Sequence, residues 1–245
     1  FYVDFKALQK GDRNFKSTTR DVKRLLTSLI AENVEGVVID LRDNGGGSLQ
    51  EAKMLTGLFI DRGPTVQIRS KNNRVDILDD RDISIIYDGP LAILVNRLSA
   101  SASEIVAGAL KDHKRAVVLG TRSFGKGSVQ TVIPLPGHGA MRLTTARYYT
   151  PSGISIQAKG IAPDIEVKVA KIEPIDFGIV REEDIRGALD KNEDGKADDV
   201  SKNEETSLGK EIDTSEISQD EIDFQLSRAL DLIRGASVFK NLKNN

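Results

Sequence analysis

Apolar positions recur along this chain at two rhythms, and the alternation between them predicts its architecture. From Thr18 to Ile30 they fall at Val22, Leu25, Leu26, Leu29 and Ile30, the spacing that lines one face of a helix. Thr18 followed by Asp21 fits the start of that helix. Val37 to Leu41 is then a short β-branched run of the kind found in strands buried on both faces. Asn44-Gly45-Gly46-Gly47 interrupts it, and Leu49, Ala52, Leu55 and Leu58 space a second helix. Leu91 to Val95 reads as another buried strand, followed by a small-residue turn, a helix from about Ser101 to Lys111, and a third strand at Ala116 to Leu119. This strand–helix–strand order predicts an α/β fold with a mainly parallel sheet covered on both faces.

Beyond Gly127 the pattern changes. Val129–Leu135 and Met141–Thr150 read as extended segments joined by Pro/Gly turns, a β-hairpin region. The core is therefore expected over residues 1–170. Residues 171–220 are acidic, polar and poor in core positions, and are expected to form a linker or arm. Residues 221–245 close the chain with a helix whose apolar face carries Leu226, Leu230 and Ile233. No internal repeat is visible. The chain opens without a start Met and inside an apolar pattern (Phe1, Val3, Phe5), so it is expected to be a piece of a longer protein, and the lack of a leader here is no evidence for the cytoplasm.

Charge narrows the function classes. With 35 basic and 37 acidic residues the net charge is −2, which leaves no electrostatic footprint for nucleic acid. No apolar run approaches the roughly 18–20 residues needed to span a bilayer. The absence of cysteine excludes disulfides, thiol catalysis and Cys-ligated zinc, and is neutral about compartment.

Two segments that follow strands carry chemistry: Leu98-Ser99-Ala100-Ser101-Ala102-Ser103-Glu104, and Ser123-Phe124-Gly125-Lys126-Gly127-Ser128-Val129-Gln130. Ligand sites in α/β sheets gather at the carboxyl ends of strands, so these segments and the glycine triplet are placed to converge. A serine becomes a nucleophile only with a base in reach, and a helix starting at Ser101 offers free N–H groups and a positive dipole end to an oxyanion. The same serines also serve as an N-cap and as tight strand–helix packing. Lysine as a base must be neutral, which at pH 7 holds for only about 1 in 2,500 free lysines. Burial of Lys126 beside apolar Phe124 is the expected remedy.

Other readings of these residues are weaker. Gly120 to Lys126 fits the phosphate-loop spacing, but Gly127 stands where Ser or Thr should hold magnesium, and the segment that follows is β-like. The two histidines, His113 and His138, are expected to be exposed. Asp190 to Asp198 resembles the start of a calcium loop, but Ser201 replaces the bidentate Glu. No metal or cofactor is expected.

Together, Ile39-Asp-Leu-Arg42-Asp-Asn44-Gly-Gly-Gly47, Ser99 to Ile105, Phe124 to Gln130, Leu143 to Gly153 and Gly160 to Asp164 resemble the carboxy-terminal processing (tail-specific) peptidases. That resemblance covers roughly residues 1–170. It implies Ser101 as nucleophile and Lys126, 25 residues later, as base. It also implies Gln130 as the residue orienting the lysine, and the N–H of Ala102 with that of Gly46 or Gly47 as oxyanion donors. The implied fold is a crotonase/Clp-protease-like core, with a PDZ domain that is not recognisable here. The implied partners are protein substrates with unstructured, apolar C-termini, with a homo-oligomer or an adaptor left open. The implied location is the periplasm or another exported compartment. A non-catalytic peptide-binding scaffold of the same fold is the alternative.

Overall fold

The computed structural model describes residues 1–12, 14–72, 74–171 and 223–243. The chain divides into two compact units, Phe1–Ala170 with Asp223–Asn245, and Lys171–Ile222. The first is the unit described below. The expected arm and the calcium-loop-like stretch Asp190–Asp198 lie outside the described residues.

Two four-stranded sheets form the scaffold. In the first, β1 (Val37–Asp40), β4 (Leu91–Val95), β5 (Val117–Gly120) and β8 (Ile165–Glu166) run parallel, in the order β1-β4-β5-β8. In the second, β2 (Gly63–Ser70), β3 (Val75–Asp80), β6 (Ser128–Leu135) and β7 (Gly139–Tyr149) are antiparallel, in the order β3-β2-β7-β6. The parallel sheet and the β6–β7 hairpin are both as expected; the departure is the unforeseen hairpin β2–β3, which extends β6–β7 into a four-stranded antiparallel sheet. The reason is local. Antiparallel neighbours need only a tight turn, whereas parallel ones need a crossover. Ser70 N–H donates to Arg74 O at 2.9 Å, which closes such a hairpin between β2 and β3.

The helices are α1 (Phe5–Gln9), α2 (Thr18–Ala31), α3 (Leu49–Gly57), α4 (Ala102–Asp112) and α5 (Phe224–Lys243). The cap of α2 is Ser17 rather than Thr18. Its hydroxyl donates to the buried Glu51 carboxylate of α3, which also accepts the Thr19 N–H at 2.8 Å and so ties two helix starts together.

Strand β4 shows why its sequence is continuously apolar. Leu91, Ile93 and Val95 face a core shared with Leu26, Phe59 and Leu110. Ala92 and Leu94 face the other side, where Ala229 and Ile233 of α5 cover them. Of the expected face of α5, Ile233 is buried and Leu226 is partly buried against the sheet, but Leu230 is exposed and Gln225 and Ala229 are buried beside them. Helix α5 lies so close to the sheet that a Cβ on Gly36 would meet Ile233 Cγ2 at 2.3 Å.

Candidate active site

The loops leaving β1, β4 and β5 meet at their carboxyl ends, as the sequence predicts. Ala100 N–H donates to Asn44 O at 3.0 Å, and Phe124 N–H to Ser99 O at 3.0 Å, so each loop is stitched to the next through backbone.

These bonds separate the three serines. Ser99 and Ser103 are fully buried, and their hydroxyls donate inward, to Leu41 O at 2.7 Å and to Asn44 O at 2.9 Å. Ser101 is half-buried, and its hydroxyl proton is committed to no partner among the described residues. Its backbone stands at φ 58°, ψ −114°, a conformation that costs an L-residue about 1–3 kcal/mol and persists only where the surroundings impose it. Gly46 is one of those surroundings. A Cβ there would sit 2.5 Å from Ala100 O and 2.7 Å from Ala102 N, so only glycine lets the triplet close on the serine turn.

The oxyanion candidates resolve unequally. Ala102 N–H, at the first position of α4, has no intrahelical partner. Gly46 N–H donates to Asn44 Oδ1 at 3.0 Å and is therefore engaged. Gly47 N–H makes no such bond among the described residues.

Lys126 departs from expectation. Its side chain is exposed, and Phe124, expected to bury it, is itself 63% exposed. Among the described residues, no hydrogen bond joins Ser101 Oγ to Lys126 Nζ. Only the backbone of the lysine is fixed. Gln130, the third residue of β6 and the one just after the register shift at Val129/Gln130, is also exposed.

Glu104 fixes that backbone, and the sequence reading did not single it out. Its fully buried carboxylate accepts Ser101 N–H at 2.8 Å, Ser123 Oγ–H at 2.6 Å, Gly125 N–H at 2.6 Å and Lys126 N–H at 2.8 Å. One side chain thus holds the main chain of both expected catalytic residues. The legible signal was the Ser-x-x-Glu capping-box spacing from Ser101 to Glu104.

The remaining candidates lie elsewhere. His113 is not exposed as expected: it is half-buried at the C-cap of α4, with Nε2 2.8 Å from Pro64 O. That places it a whole helix, about 18 Å, from Ser101. His138 is exposed in the β6–β7 turn. Gly127 leads into strand β6 rather than a helix, so the phosphate-loop spacing lacks its structural context.

Comparison with known proteins identifies the class to which this fold and site belong. The model of peptidase family S41 matches residues 2–167. The chain belongs to that family. It is 48% identical over 162 residues to a carboxy-terminal-processing protease of Bartonella bacilliformis, covering 66% of this chain and 37% of that protein. It is 43% identical over 155 residues to a tail-specific protease of Haemophilus influenzae, covering 60% of this chain and 22% of that one. Among solved structures, a photosystem II D1 C-terminal processing protease matches with a TM-score of 0.59 and 41% identity, over 62% of this chain and 39% of that chain. The chain therefore spans well under half the length of these relatives.

Proposed function

We propose that this chain is the catalytic region of a serine endopeptidase that cleaves protein chains near their C-termini, with Ser101 as nucleophile and Lys126 as base. The observation that carries this reading is the contrast among the serines: only Ser101 keeps an uncommitted hydroxyl, on a strained turn at the start of a helix.

In the reaction, neutral Lys126 takes the Ser101 proton as Oγ attacks the scissile carbonyl, and returns it to the leaving amine. Ala102 and Gly47 N–H groups hold the oxyanion; loss of one such donor costs about 100–1,000-fold in rate. Water then attacks the ester, with the lysine again as base, and releases the shortened chain. Gln130 orients the lysine. Apo sites are often looser than the reacting complex, and a substrate strand laid over Lys126 both excludes water and brings Nζ onto Oγ. The parallel half is read as a crotonase/Clp-protease-like core, and the substrates as exported proteins with unstructured, apolar tails. The relatives' names, tail-specific and chloroplastic processing peptidases among them, support cleavage near C-termini. Among the described residues, no helix is long and apolar enough to cross a membrane.

The second reading is a peptide-binding scaffold without turnover, favoured by the exposed, unbonded Lys126. One experiment separates the two. In the full-length protein, Ser101→Ala and Lys126→Ala each abolish cleavage of a disordered, apolar-tailed substrate, and the double variant is no worse. Gln130→Ala keeps partial activity. Full activity in folded Lys126→Ala overturns the mechanism, and peptide binding without cleavage by the wild type establishes the scaffold.

A further inference from the structure

Arg42 lies in the sequence stretch that leads to the glycine triplet, yet it bonds away from the serine. Its guanidinium, 17% exposed, is gripped from two sides. Nε and Nη2 donate to Asp40 at 2.7–3.1 Å, and Nη1 and Nη2 donate to Asp223 at 2.9 and 2.5 Å. Nη1 also donates to Gln225 Oε1 at 3.1 Å. Only the five-donor fork of arginine can serve these partners at once. Asp223 and Gln225 stand at the start of α5, 181 and 183 residues away in sequence.

Gln225 continues the chain of bonds. It is 2% exposed, and its Nε2 donates to Val167 O at 2.6 Å. Val167 N–H in turn donates to Gly120 O at 2.9 Å. Gly120 ends β5 and opens the loop that carries Lys126. The start of α5 is thus bonded directly to Arg42, ahead of the glycine triplet, and through Val167 to the strand end that launches the base. A helix that only covered the apolar sheet face would need Ala229 and Ile233. A buried glutamine and a doubly paired arginine add desolvation cost without adding cover.

We infer that the start of α5 is a latch that sets the spacing of the two catalytic loops, with Arg42 and Gln225 as positioning residues. The inference rests on the peptidase reading of Ser101. A misplacement of about 1 Å at a reacting centre costs on the order of 100-fold in rate.

The test uses the full-length protein with Gln225→Leu, which keeps the apolar cover, and Arg42→Ala. Each is expected to lower kcat by about tenfold or more with KM changed less than about twofold, because the latch acts on the spacing of the catalytic loops rather than on substrate affinity. Melting temperatures stay within a few degrees. The combined variant is no worse than the poorer single, since both break one connection. Amide exchange at 42–47 and 121–127 speeds up in both variants, a readout independent of hydrolysis. Wild-type kcat in folded variants, or unchanged exchange in both loops, overturns the latch. Should Arg42→Ala fail to fold, Asp223→Asn decides by the same two readouts. An inactive wild type, with exchange still faster in both variants, sinks the peptidase reading and leaves the latch standing.

Discussion

At the scale of single residues, the site is a contest between strain and the bonds that impose it. Ser101 holds a backbone conformation natural only to glycine, and the Glu104 carboxylate keeps it there from below while Asn44 and Gly46 close it from above. Ser101→Gly should therefore be more stable than Ser101→Ala by about 1 kcal/mol, as read from urea midpoints, because glycine relieves the strain that alanine inherits. Equal midpoints would mean the turn carries no strain. Glu104→Gln replaces an acceptor-only carboxylate with an amide whose NH2 faces N–H donors. A loss of about 3 kcal/mol is expected, since buried donors are left unmet. Activity should fall further than the unfolded fraction explains. A fully active Glu104→Gln protein would show that the loops hold themselves.

At the scale of elements, β6 is the informative strand. It ends the antiparallel sheet, so its outer edge is unpaired among the described residues, and it begins two residues after Lys126. Its cross-strand register puts Thr131 with Leu143, Ile133 with Met141 and Leu135 with Gly139 on one face, and the large apolar members of that set are exposed. An open edge with an apolar face suits an extended, apolar-tailed chain that adds as a strand and is read mainly through backbone. Hydrogen exchange with a bound unstructured peptide should show new protection across 128–135, and none there would place the substrate elsewhere. At the start of α5, the hydrogen bond from Arg42 holds Asp223 below the usual carboxylate range. A depressed carboxylate stabilises the fold above its unfolded value and loses that contribution as pH falls through its folded one. The melting advantage of wild type over Asp223→Asn should therefore shrink below about pH 4, and a pH-independent difference would remove Arg42 as its cause.

At the scale of the whole unit, α5 closes the fold by covering a sheet face that the first 170 residues leave bare. Gly36 is the contact where this is tightest. Gly36→Val should destabilise by about 1–3 kcal/mol, because the new side chain must push Ile233 and the helix off the sheet. Thermal melting measures it, and an unchanged midpoint would mean that α5 contributes little to the fold.

The sequence alone determined most of the parallel half. Leu91–Val95 matches its strand to the residue, and α2, α3 and α4 lie within a residue or so of where periodicity placed them, because a strand buried on both faces and an amphipathic helix each write their environment into local spacing. Convergence of the three loops was legible for the same reason, since parallel strands present their carboxyl ends together. The antiparallel β2 and β3 were not read, as a half-exposed hairpin carries only a weak alternating signal. What only the tertiary structure decided concerns the direction of side chains and the partners of polar groups. Which of Ser99, Ser101 and Ser103 keeps a free hydroxyl depends on carbonyls at Leu41 and Asn44, some 58 residues or more upstream. The exposure of Lys126, the hub at Glu104 and the bond from Arg42 to Asp223 likewise depend on distant segments brought together. Apolar burial has a period that sequence displays; a hydrogen bond between remote residues has none.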